Sequence, residues 1–178
     1  MKKINLLVFV FLITLFVSCD KEENSENNLA ENSAKLVGDW KLVGYDVEDA
    51  TIASNIDGVE FSIPTTITGK DFDASLRFSE NPNVFTSEGS FVVLIEFEAE
   101  GETYSQEEVV EDFLSDGEWV LEEGLLIATT ETEDAIAYTI KTLTDTSLVL
   151  EYDLSLSRDV DDVPFTTTGT YIMTLEKE

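Results

Sequence analysis

Apolar and polar residues alternate along most of this chain from Trp40 onward, the period-two signature of strands with one buried face. Ala74, Leu76 and Phe78 are interleaved with Asp73, Ser75, Arg77 and Ser79. Phe91, Val93, Ile95, Phe97 and Ala99 make a longer run of the same kind. Leu148, Leu150, Tyr152 and Leu154 make another, and Tyr171, Met173 and Leu175 a last one. Further strands are predicted near Asp39–Glu48, Gly58–Thr68, Glu118–Glu122, Leu125–Thr130 and Ala135–Leu143. Turn-forming residues separate them at Asn81-Pro82-Asn83, Ser115-Asp116-Gly117, Glu123-Gly124 and Thr144-Asp145-Thr146. Roughly eight to ten strands joined this way predict an all-β domain, an antiparallel up-and-down barrel whose closure removes exposed edges. A two-sheet sandwich is the alternative.

One stretch departs from alternation. Between Ser105 and Leu114, Val109, Val110, Phe113 and Leu114 fall on one helical face, and Ser105 with Glu108 has the spacing of a capping box. The spacing predicts one short helix here, either covering a mouth of the barrel or serving as a packed connection.

The N-terminal pattern is different again. Met1, Lys2 and Lys3 precede an unbroken apolar run from Ile4 to Val17, the layout of a secretory signal. The run is short of the roughly twenty apolar residues that span a bilayer; an uncleaved anchor is the other possibility. It closes on Leu15-Phe16-Val17-Ser18-Cys19, which resembles a lipobox. The resemblance implies lipidation of Cys19 and removal of residues 1–18, leaving a protein held to a membrane by acyl chains. Residues 19–35 are rich in Asn, Ser and Glu, with too little apolar surface to offset the entropy of ordering, and are expected to form a flexible tether. The folded domain is then 36–178. Lys21-Glu22-Glu23 resembles the surface-export signal of some Gram-negative lipoproteins. This implies a lipid-anchored, surface-exposed position on the outer membrane, although any solvated tether has a similar composition.

Composition narrows the chemistry. The chain has no histidine and one cysteine, so a Ser-His-Asp triad, a Cys-His pair, an imidazole zinc site and an internal disulfide are excluded by inventory. A formal charge of −28 repels nucleic-acid phosphates, and no nucleic-acid partner is expected. With 38 Asp and Glu, neighbouring carboxylates arise by chance, so no acid pair is nominated as catalytic and no enzyme is expected. Asp46, Glu48 and Asp49, and Asp159, Asp161 and Asp162, are acid clusters without the spacing of a calcium loop. Diffuse Ca²⁺ or Mg²⁺ binding is all they suggest; no specific metal site and no cofactor is implied. Trp40, Phe91, Trp119, Tyr138 and Tyr152 are candidate ligand-lining residues. An eight-stranded barrel is just wide enough to hold one small ligand or to be filled by such side chains.

The order of motifs is similar to that of bacterial lipocalin-like lipoproteins. Leu36-Val37-Gly38-Asp39-Trp40-Lys41-Leu42 resembles the opening strand with its Gly-x-Trp. It is followed in order by Asn81-Pro82-Asn83-Val84-Phe85, Gly117-Glu118-Trp119-Val120-Leu121, Leu143-Thr144-Asp145-Thr146-Ser147-Leu148 and Tyr171-Ile172-Met173-Thr174-Leu175. The resemblance spans 36–177 and implies a non-catalytic barrel that takes a small apolar ligand at the cell envelope. A structural or interaction module, docking a cationic partner on the acidic surface, is the other function in view. The arginine that stacks on the opening tryptophan in lipocalins has no counterpart, since Arg77 and Arg158 are the chain's two arginines and both lie elsewhere.

Overall fold

A computed structural model describes residues 22–56, 58–111, 113–130, 135–160 and 163–178, with the side chains of 28–159 and 163–178 within those ranges. The signal segment, Cys19 and the start of the tether lie outside the described residues. One helix, α1 (Glu22–Leu36), precedes nine strands: β1 (Gly38–Ile56), β2 (Val59–Ser79), β3 (Val84–Ala99), β4 (Glu102–Glu111), β5 (Gly117–Glu122), β6 (Leu125–Thr130), β7 (Ile136–Leu143), β8 (Ser147–Val160) and β9 (Val163–Lys177). All pairings are antiparallel. The sheet runs β2-β1-β9-β8-β7-β6-β5-β3-β4, and β2 pairs with β3 to close it into a ring. The up-and-down barrel expected from alternation is what forms, and not a sandwich.

Of the segment expected to be helical, residues 105–111 belong to strand β4. Glu100 and Gly101 both take positive φ (54° and 82°), as a tight two-residue hairpin turn requires, and send the chain straight back along β3. Ser105 pairs with Glu96 and Glu108 with Val93. A ten-residue helix is marginal without tertiary support, whereas the β3 edge offers a full ladder. The two patterns also sort the valines differently. Val110 packs on the core while Val109 is 60% exposed, the opposite faces of a strand.

β4 and β5 lie end to end on the same edge of β3, with Glu111 opposite Ser90 and Gly117 opposite Phe85. They act as one strand interrupted between Glu111 and Gly117, so the ring has eight staves. The Asp116 carboxylate accepts the Ser87 backbone N–H (2.9 Å) in the break, satisfying a donor that neither β4 nor β5 reaches.

The helix is the second departure from expectation, because the stretch read as a flexible tether is helical from Glu22. Its C-terminal end is built into the barrel base. Leu36 is fully buried, and the Trp40 indole N–H donates to the Leu36 carbonyl at 2.7 Å. The Lys177 ammonium donates to the Lys35 carbonyl at 2.6 Å and sits 5.1 Å from the Trp40 ring centre. Helix C-termini leave carbonyls unsatisfied and favour cations, and one tryptophan and one lysine answer both needs. The cation over the opening tryptophan, missing among the arginines, is Lys177.

Candidate functional site

The register divides the barrel into a base and a mouth. The base holds Gly38, Lys177 and the turns after β2, β5 and β7; the mouth holds the tips of the β1–β2, β3–β4 and β8–β9 hairpins. Side chains pointing inward at the base are Trp40, Leu42, Leu76, Phe78, Phe85, Trp119, Leu148 and Leu175, all 2% exposed or less. The Trp119 indole N–H donates to the Ser79 carbonyl at 3.0 Å, and Phe78 meets both Phe85 and Trp119 ring to ring. The base is packed shut.

Above it runs a chain of touching aromatic rings. Phe113 meets Phe91 (5.8 Å), and Phe91 meets Phe72 (5.8 Å) and Tyr45 (4.8 Å). Tyr45 meets Tyr171 (4.8 Å), Tyr171 meets Tyr152 (5.1 Å), and Tyr152 meets Tyr138 (5.4 Å). Centroid separations of this size are edge-to-face or offset contacts with no space for a guest between rings. Of the five candidate ligand-lining residues, Trp40 and Trp119 therefore belong to the base. Phe91, Tyr138 and Tyr152 belong to the aromatic layer.

Burial in this layer leaves an electrostatic mark. Desolvation pushes the Tyr45 hydroxyl up to about 12, with Tyr152 and the Glu108 carboxylate adding to the shift. Tyr171 is raised well above its ordinary value, again chiefly by burial. The folded state keeps these protons over a range where the unfolded chain releases them. Stability is therefore full below the ordinary tyrosine value of 10 and falls as pH climbs toward about 12. Phenolate absorbance followed against pH should show a late component near 12, diminished in Tyr45→Phe while Tyr171 still ionises late, with unfolding setting in over the same interval. A titration in which every tyrosine ionises near 10 would contradict the packed layer.

The mouth is different. β5, β6 and β7 are 6, 6 and 8 residues long, while β1, β2, β3 and β9 run to 19, 21, 16 and 15. The long hairpins stand above the aromatic layer and the short strands leave one side low. Register fixes which residues face inward there. Ile52 pairs with Ile63 and Thr167, Ser54 with Phe61 and Phe165, and Leu156 with Thr167, continuing the inward rows of Tyr152 and Tyr171. On the opposite wall Phe97 pairs with Tyr104, their rings stacked at 5.4 Å. Tyr104, Leu156, Ile56 and Val59 are 44%, 57%, 41% and 67% exposed, and all four lie on these inward rows. Glu108 and Arg158 also face inward and meet across the low side at 3.5 Å, linking β4 to β8. The result is an inner face of mixed character above a filled barrel, apolar at Ile52, Ile56, Val59, Tyr104 and Leu156 and polar at Ser54, Thr167, Glu108 and Arg158.

Sequence reading missed this face. It nominated aromatics that pack in the core, whereas the open surface includes Ile56 and Leu156 in strand extensions beyond the expected ends, together with Val59 and Tyr104. The usable signal was the continuation of alternation through Ile52, Ser54 and Ile56 and through Leu154, Leu156 and Arg158.

Other features offer less. A groove of about 430 Å³ on the outer wall is lined by Lys41, Asp73, Ala74, Ser75, Glu88, Gly89 and Glu178 and is mostly polar. Among the described residues no three acids or thiols are grouped to hold a metal ion, and no helix is long and apolar enough to cross a membrane. Asp161 and Asp162 of the second acid cluster lie outside the described residues. Compared with protein-family models, curated proteins and solved structures, the chain matches none.

Proposed function

We propose that this is a lipocalin-like lipoprotein, tethered through Cys19 to the outer membrane and displayed at the cell surface, whose mouth binds a small apolar molecule without catalysis. The observation that carries the reading is that four exposed apolar residues lie on the inward rows of the mouth. Ile56, Val59, Tyr104 and Leu156 all face inward at the mouth, whereas the exposed Val109 and Val120 face outward on the wall. Convergent exposed apolar surface marks binding sites; scattered single residues do not. The packed base and aromatic layer support a shallow seat for the ligand in place of an enclosed chamber. A net charge of −28 raises the cost of bringing in an anion, so the ligand class is neutral or cationic.

Titration with Nile red, an uncharged dye that brightens in apolar surroundings, tests this. Leu156→Glu is expected to weaken dye binding by about tenfold or more, since it buries a charge in the seat. Val109→Glu, on the outer wall, should leave it within about twofold. Equal affinities in both variants would remove the mouth as the site.

A further inference from the structure

The free margins of the long strands carry a second kind of site. β4 ends the strand order and hydrogen-bonds only to β3 among the described residues. Alternate residues from Glu102 to Glu111 therefore direct backbone N–H and C=O groups at solvent. β8 is paired with β7 only from Leu148 to Glu151, so its upper half presents a second unpaired margin across the low side of the barrel. The Arg158–Glu108 contact marks where the two margins approach.

Long free edges are usually shielded, because they template pairing with other chains. This one is shielded selectively. β4 carries Glu102, Glu107, Glu108 and Glu111 and no basic residue, and the upper half of β8 adds Asp153 and Asp159 against Arg158. Two copies joined edge to edge would set these acids against each other, which disfavours self-pairing. Glu107 and Glu108 already pair with Lys70 (2.6 Å) and Arg158 (3.5 Å), so an incoming strand with lysine or arginine would meet free opposite charge at Glu102 and Glu111, at the two ends of β4. Two apolar side chains on β4, Val109 on the outer face and Tyr104 on the inner, are exposed beside it.

We propose that the β4 edge binds a basic segment of a partner protein in extended conformation, by strand addition antiparallel to β4. Backbone hydrogen bonds supply the pairing and the glutamates select a cationic sequence. This site uses the backbone edge of the wall; Tyr104 and Glu108 are the residues it shares with the inner face of the mouth.

The test uses the full-length protein in neutral detergent and a labelled, acetylated peptide of alternating valine and lysine, about ten residues long to match β4. A second peptide has the same sequence with alternate backbone nitrogens methylated, keeping every charge but removing strand donors. The unmethylated peptide is expected to bind at least about tenfold more tightly and to slow amide exchange across Thr103–Glu111. Charge reversal by Glu102→Lys with Glu111→Lys should weaken it by a similar factor. Equal affinity for the two peptides, or protection absent from β4, would reduce the interaction to diffuse attraction by an acidic surface and overturn the proposal. Nile red binding, read in the same samples, reports on the mouth separately.

Discussion

Trp40→Ala is expected to destabilise the domain by about 3–5 kcal/mol, close to the whole stability of many domains this size. The side chain is fully buried at the base, and its removal leaves a void bounded by the barrel floor. It also removes the N–H that satisfies the Leu36 carbonyl and the ring over which Lys177 is held. The loss therefore spreads to the end of α1, whose last carbonyls depend on Trp40 and Lys177 together. Trp40→Phe separates the contributions: most of the packing survives, and the cost should fall to about 1–2 kcal/mol, the scale of one buried hydrogen bond. Urea unfolding of the three proteins gives the comparison. A cost under about 1 kcal/mol for alanine would mean the base is not the packed floor described above.

Gly89→Ala should be comparably severe, at about 4 kcal/mol, for a reason unrelated to cavity formation. Gly89 has φ of +86°, and a Cβ placed on it would lie 1.9 Å from the Asp73 carbonyl oxygen. That oxygen belongs to backbone at the β2 irregularity between Lys70 and Asp73, so the obstacle cannot rotate away. Gly101 is the control. Its φ is +82°, but an added Cβ there meets nothing within 4 Å. Gly101→Ala should thus cost only the conformational penalty, about 1–2 kcal/mol, and the difference between the two variants isolates the close approach of β2 and β3. Equal costs in thermal or urea unfolding would show that β2 and β3 are not held this closely.

Much of the architecture was legible because alternation survives wherever one strand face is buried. Phe91 to Ala99 and Leu148 to Leu154 were read with the correct inward residues, and the turns at Asn81–Asn83 and Thr144–Thr146 fall between strands as expected. The errors have local causes. At Ser105–Leu114, capping-box spacing and a cluster of apolar residues imitate a helix, and only the positive-φ Glu100-Gly101 turn, which fixes pairing with β3, decides otherwise. At β1, Asp49 takes φ of 52° within a register shift between Glu48 and Thr51. The bulge breaks the phase of the alternation, so the strand seems to end near Glu48 although it continues to Ile56. The same blurring hid the mouth. Large aromatics announce a core, and here they fill it. The less conspicuous Ile52, Ile56 and Leu156 become a surface only when three hairpins are seen to rise together. The N-terminal helix was unreadable for another reason: its sequence is polar nearly throughout, and its anchorage comes from Trp40 just beyond its end and from Lys177, distant in the chain.

The most direct test of a filled barrel with an open apolar mouth is the position of a bound ligand. A crystal of the protein with a bromine-tipped, uncharged long-chain alcohol would locate the chain by anomalous scattering. The account predicts bromine above the aromatic layer, among Ile52, Phe165 and Leu156. Bromine between Trp40 and Trp119, or no bound molecule at saturating alcohol, would contradict it.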